Sequence, residues 1–179
     1  LNILGLPTQM VVRNSGGTTL RSLNATYNTN YANHLIKVTR NTGQDMAVTD
    51  IQYDNYGNIV SKTLPANING QRMTYSYEYD SRYRMYLTKI SDSFGYSSEI
   101  GNYDYKYGIP KETKSMNGKY SYTTIENMGR ITSVKGPNEI HGQPRDYTIK
   151  FEYYPTVTRN GQNIVSPAYA VTKHYDPQH

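Results

Sequence analysis

The sequence predicts an all-β fold, an antiparallel ribbon of strands joined by tight turns. Three observations carry this. The 179 residues include 20 tyrosines, several of them at alternate positions, as in "MTYSYEYDSRYRMYLTKI" (73–90). Side chains alternate faces along a strand, so a row of this kind belongs to one face of a sheet. Gly, Asn or Pro recurs every few residues, and no long stripe of period 3.6 marks a helix. Finally, a unit close to Y-D-x-x-G-[N/R]-I-x-x-x-T returns at intervals of 20–26 residues, the mark of a repeat architecture.

The elements follow in chain order. "YNTNYANHLIKVT" (27–39) is a loose first copy. "YDNYGNIVSKTLP" (53–65) is the fullest. In it the Asp54 carboxylate can accept backbone N–H bonds in a tight turn, Gly57 supplies a positive φ, and Asn58 suits the same corner. The strand from Ile59 runs to an opposite turn at Pro65 and Asn69-Gly70, and "MTYSYEY" returns. Tyr79-Asp80 opens the next copy, with Arg82-Tyr83-Arg84 in place of x-Gly-Arg. "YDYKYGIPKETKS" (103–115) supplies Tyr103, Asp104 and Gly108, with Tyr105 standing 26 residues after Tyr79. "IENMGRITSVKGP" (125–137) keeps Gly129-Arg130 and loses the Tyr-Asp pair. Tyr175-Asp176 begins another copy. About six such units form a curved sheet, part of a larger array, with the turns at 54–57, 80–84 and 126–129 on one edge. The tyrosine rows 75/77/79, 103/105/107, 120/122 and the stripe 147/149/151/153 are expected to pack as cross-strand aromatic ladders.

Composition sets outer bounds. Leu, Ile, Val and Phe together number only 32, so tyrosine must supply much of the apolar area. The net charge is +5 and no two Lys or Arg are adjacent. Such dispersed charge reads as a solvated sheet face and argues against a nucleic-acid partner. The absence of cysteine excludes disulfides and thiolate metal sites. No run approaches the ~18 apolar residues of a membrane span. "LNILGLPTQM" lacks the features of a signal peptide, and the chain is expected to be a segment of a larger protein.

The motifs "YDNYGNI", "YEYD", "ENMGRITSV" and "YDPQH" resemble the YD repeats of bacterial RHS proteins, including the B component of insecticidal toxin complexes. The resemblance covers the chain from about residue 27 onward. It implies a strand ribbon that spirals into a hollow shell around a toxic polypeptide. It therefore implies a non-enzymatic scaffold or shell wall in a secreted or surface-associated bacterial toxin-like protein. Its partners would be the rest of the parent chain and an enclosed polypeptide; independently of the resemblance, unpaired edge strands are expected to recruit other copies of the chain. The self-cleaving aspartyl site that ends some members has no match here.

The chemistry-bearing residues are few. His34, His141, His174 and His179 show no metal-ligand spacing. His174 and His179 flank "YDPQ". Asp50, Asp54, Asp80 and Asp104 could be offered as paired carboxylates, but three of the four fall at or beside the recurrent turn. No G-x-S-x-G, phosphate loop or Ca²⁺ loop is present. The sequence thus predicts no enzyme, no cofactor and no metal. Tyrosine faces also stack on sugars, so the alternative is a β-sheet glycan-binding or adhesion module, recognisable by two or three rings exposed together in a concave site. The residues expected to matter are those of the repeat: Tyr53, Asp54, Gly57, Asn58, Tyr79, Asp80, Tyr103, Asp104, Gly108, Gly129, Arg130, Tyr175 and Asp176.

Overall fold

A computed structural model describes residues 5–28, 33–43, 45–141, 145–159 and 163–175. The chain is all-β, and thirteen of its strands run antiparallel in one sheet. It divides into two compact units, residues 1–97 and 98–179.

The first unit is a meander of seven strands: β1 (Gln9–Arg13), β2 (Thr19–Tyr27), β3 (Leu35–Asn41), β4 (Met46–Tyr53), β5 (Ile59–Ala66), β6 (Arg72–Tyr79) and β7 (Leu87–Asp92). Each pairs with the next in sequence, and β1 has β2 as its one neighbour. The turns at 54–57 and 80–84 therefore lie on one edge, as expected. Those at 14–18, 67–71 and 92–96 lie on the other.

The second unit holds β8 (Ser97–Asp104), β9 (Ile109–Lys114), β10 (Tyr120–Ile125), β11 (Ile131–Lys135), β12 (Ile149–Tyr154) and β15 (Tyr169–His174) in that order. A hairpin of β13 (Val157–Arg159) and β14 (Asn163–Ser166) is set between β12 and β15. One short helix, α1 (Pro137–His141), bridges β11 and β12, with Pro137 at its first position, where a missing N–H costs nothing. The turns at 104–108 and 126–130 share one edge of this unit.

One turn chemistry recurs at both edges. Asp54 N–H donates to the Asn58 carbonyl (2.9 Å) while Gly57 N–H donates back to Asp54 (3.3 Å). The same pair of bonds closes 67–71, 92–96, 115–119 and 126–130. This is a type I turn followed by a left-handed residue. Gly57 (φ 87°) and Gly129 (φ 82°) take that position in two of them. Where the motif lacks its glycine, Arg84 adopts the left-handed conformation itself (φ 57°). The loop lengthens to accommodate it, and Asp80 N–H bonds the Tyr86 carbonyl (2.8 Å).

Among the described residues no hydrophobic side chain is fully buried. Most strand side chains are half-buried at most, so among the described residues the strands are tied by main-chain bonds more than by a core.

The aromatic ladders do not form as expected. The registers set Tyr77 against Ile90, Tyr79 against Leu87, Tyr103 against Pro110 and Tyr153 against Ala170. Tyr75, Tyr120 and Tyr122 face Asp92, Lys114 and Glu112, so these rings meet aliphatic or charged side chains rather than other rings. Tyr154 and Tyr169 do oppose directly, with ring centroids 4.6 Å apart. Tyr120 and Tyr122 stack along a single strand at 6.2 Å. Tyr105 and Tyr107 sit in the turn after β8, because Asp104 already ends the strand. The structural repeat thus falls at Tyr103-Asp104 rather than at Tyr105. Tyr147 precedes β12 and stands outside its stripe.

Candidate functional site: the tyrosine–aspartate edge

Within each unit most of the repeat residues gather on one edge, and the tyrosine hydroxyl does what spacing alone did not reveal. Tyr53 closes two hairpins at once. Its backbone pairs with Ile59, the last pair before the turn. Its hydroxyl donates to the Leu35 carbonyl on the preceding strand, 3.1 Å away. Tyr79 repeats both contacts, pairing with Leu87 and donating to the Ile59 carbonyl at 2.9 Å. Tyr27 pairs with Leu35 and donates to the Pro7 carbonyl at 3.1 Å. A continuous line Tyr27–Leu35–Tyr53–Ile59–Tyr79–Leu87 therefore crosses the six strands β2 to β7 and is anchored at Pro7, just before β1. In the second unit Tyr153 donates to the Ile131 carbonyl at 2.8 Å. Ile131 pairs with Ile125, which stands in the tyrosine position and has no hydroxyl to pass the line on.

The aspartates are turn anchors. Asp54 accepts the N–H groups of Tyr56 (2.8 Å) and Asn58 (2.9 Å) on one oxygen and the Asn58 side-chain amide (2.9 Å) on the other. Burial alone would raise its pKa. The Asn58 side chain and the turn amides outweigh that and hold the carboxyl below its usual range. Asp80 is buried and accepts from Arg82, Tyr83, Met85 and Tyr86 amides at 2.6–3.2 Å. Those four donors likewise overcome burial and lower its pKa. Asp104 bonds the Lys106 and Tyr107 amides. Glu126 holds Arg130 in an ion pair instead.

Successive turns are joined to one another. Asn58 Nδ2 also donates to the Arg84 carbonyl, 26 residues on, at 2.5 Å. Arg84 in turn lies over the Tyr56 ring at 4.9 Å. Arg130 lies over the Tyr153 ring at 4.3 Å. Tyr107 covers Gly129 and donates its hydroxyl to the Asn127 carbonyl. Gly108 (φ 68°) lets the chain re-enter β9.

Two expected residues stand apart. Tyr175 follows β15 on the opposite edge from Tyr153, its N–H bonded to the Thr148 carbonyl (2.9 Å) and Arg145 over its ring. It therefore does not open a further copy on the tyrosine–aspartate edge. β15 runs antiparallel to β12, so its end falls on the edge away from Tyr153. Asp176 and His179 lie outside the described residues.

A second cluster centres on Glu152, which binds Lys173 (2.8 Å), Lys150 (3.1 Å) and the Tyr154 hydroxyl (2.8 Å). These bonds lower its pKa to about 2. His34 stacks on Tyr53 at 4.4 Å, and Asp50 pairs with Arg72 at 2.7 Å. Among the described residues no three His, Asp or Glu gather in a way that could hold a metal ion. No described helix is long and apolar enough to cross a membrane.

Tyr53, Asp54, Asn58, Tyr79, Asp80 and Asp104 are each bonded to their own turn or to a neighbouring strand. The chemistry on display is hydrogen-bond closure of a repeating sheet. No protein-family model matches the chain, and no curated protein matches it.

Proposed function

We propose that this chain is a non-enzymatic repeat segment of a bacterial RHS/YD-repeat toxin-like protein, serving as scaffold or wall around a cargo polypeptide. The observation that carries the reading is the sheet itself: hairpins clasped edge to edge by Tyr27, Tyr53 and Tyr79, with no hydrophobic side chain buried among the described residues. A single layer of this kind gains cover from further structure on its faces and edges, as a wall does. The Asp54 and Asp80 carboxylates, which catalysis would need free, are saturated by turn amides. Export to the cell surface or medium goes with this reading. The test is the gene on either side of this segment. Further Tyr-Asp hairpins followed by an unrelated C-terminal polypeptide, protected from protease when co-expressed with the array, support it. A flanking catalytic domain with no further hairpins overturns it.

A second reading, glycan binding, is favoured by one groove of about 1050 Å³ in the first unit, lined by His34, Tyr53, Tyr56, Gln52 and Asn55. Tyr56 is 62% exposed there, and the amide side chains around it match sugar hydroxyls. Binding on a glycan array that Tyr56→Ala abolishes would establish it. An array blank for the wild type removes it.

A further inference from the structure

Charge in this chain is less evenly spread than the overall count suggests. Residues 1–44 hold Arg13, Arg21, Lys37 and Arg40 and neither Asp nor Glu, so they carry +4 of the net +5. The first three strands are therefore a basic surface with no acidic side chain of their own. Lys37 reaches Asp50 on β4 at 4.0 Å, and Arg13 donates to the Gly17 carbonyl. Arg21 and Arg40 have neither ion pair nor hydrogen bond among the described residues, in contrast to Arg72 and Arg130.

These two arginines are neighbours. The registers Val12↔Arg21, Met10↔Leu23 and Leu23↔Arg40 put all five side chains on one face of the sheet. Arg21 and Arg40 stand on a cross-strand diagonal, within roughly 7–8 Å of each other at the backbone. Between them and the β1 edge lies a groove of about 290 Å³ lined by Met10, Val12, Leu23 and the two arginines. Met10 and Val12 are 63% and 40% exposed. Large apolar side chains left open beside unpaired guanidinium groups call for a ligand that is apolar along its length and anionic at one end.

We infer that this face binds a single-chain anionic amphiphile, an alkyl carboxylate or sulfate, with its head between Arg21 and Arg40 and its tail along Leu23, Met10 and Val12. The guanidinium forks match a carboxylate or sulfate in the plane of its oxygens. A groove of about 290 Å³ bounded by eight residues is sized for one short alkyl chain, so it fits a free amphiphile rather than a bilayer. This inference is independent of the scaffold reading.

Calorimetric titration with decanoate, at concentrations where light scattering shows the protein to be monomeric, tests it. Decanoate is expected to bind saturably. Decanol, with the same tail and no charge, and inorganic sulfate, with charge and no tail, are each expected to bind at least tenfold more weakly. Arg21→Gln combined with Arg40→Gln is expected to cost at least tenfold in decanoate affinity, while Lys62→Gln on β5 leaves it unchanged. Equal binding of decanol and decanoate overturns the proposal, and so does non-saturable binding. Binding to anionic phosphatidylglycerol vesicles without binding to monomeric decanoate also overturns it, in favour of a membrane surface. The three-ligand comparison needs only the wild-type chain, so it stands even if the double variant fails to fold.

Discussion

The side-chain amide of Asn58 donates to the carbonyl oxygen of Arg84 across 2.5 Å, joining two turns whose sequences lie 26 residues apart. The same nitrogen donates to Asp54 Oδ2 within its own turn. Asn58→Ser removes both bonds and is expected to lower stability by about 1 kcal/mol. Gly57→Val puts a β-branched residue at φ 87° and is expected to cost more, about 1–3 kcal/mol. Asn58→Asp loses the donors and faces Asp54 with a second negative charge, so it should be worse than serine at neutral pH. Urea midpoints of the three variants check the order. Equal midpoints for Gly57→Val and Asn58→Ser would remove the strain argument.

The tyrosine line predicts a hydroxyl-specific effect. Tyr53→Phe and Tyr79→Phe keep the ring and lose one bond each, an expected loss of about 0.5–1.5 kcal/mol per substitution. Tyr77→Phe, on the same strand, is the control and should shift the midpoint less. Burial raises the pKa of both Tyr53 and Tyr79. The folded state therefore holds these protons more tightly than the unfolded one. Their contribution is intact below about pH 10 and is lost as pH rises past it. Alkaline melting curves of wild type and double variant should converge.

Acid acts through the opposite sign. Asp54, Asp80 and Glu152 have folded pKa values below their ordinary ones. Unfolded chains take up these protons first, so the stabilisation is present above the ordinary carboxyl range and disappears as pH falls through the folded values. For Glu152 that window runs from 4.5 down to about 2. Melting temperature should fall across it, and Glu152→Gln should flatten the fall. An unchanged pH profile in Glu152→Gln would show that the Lys150 and Lys173 contacts contribute nothing in solution, as happens for many exposed pairs.

Gly129 is constrained twice, by φ 82° and by the Tyr107 ring, which a Cβ at that position would overlap. Gly129→Ala should destabilise strongly. Combined with Tyr107→Ala, which clears the space, the loss should be smaller than the sum of the two singles. Strict additivity in the double-mutant cycle would place the whole penalty in the backbone.

Turns were the most legible part of this sequence, strand partners the least. Asp54 and Gly57 announce their corner because few residues satisfy both a capping acceptor and a positive φ. The left-handed Arg84 could not be read from sequence, since nothing in "SRYRM" distinguishes it from Arg82. Register hid the partners of the tyrosine rows. Alternation tells which face a ring is on, but the partner depends on the hairpin length, and here it brings Leu87, Ile90 and Pro110 opposite. The hydroxyl line had one available signal: tyrosine rather than phenylalanine precedes Asp54, Asp80 and Asp104, although a ring alone would satisfy a packing role. The motif at Tyr175 names no direction: its place on the opposite edge follows from β15 running antiparallel to β12, which only the pairing shows. The basic stretch 1–44 was visible throughout but averaged away by the whole-chain charge.

That no hydrophobic side chain is fully buried among the described residues has an evolutionary corollary. Where side chains from distant segments share a core, losing one segment unseats all the others. Here each hairpin answers mainly to the hairpin before it and the hairpin after it. Recombination that begins at one Tyr-Asp pair and ends at the next removes or adds a whole piece and leaves two compatible ends to rejoin. Copy number is then free to drift under selection for length alone, and unequal pieces are tolerated: turns on the tyrosine–aspartate edge begin at 54, 80, 104 and 126, 22 to 26 residues apart, without breaking the pairing.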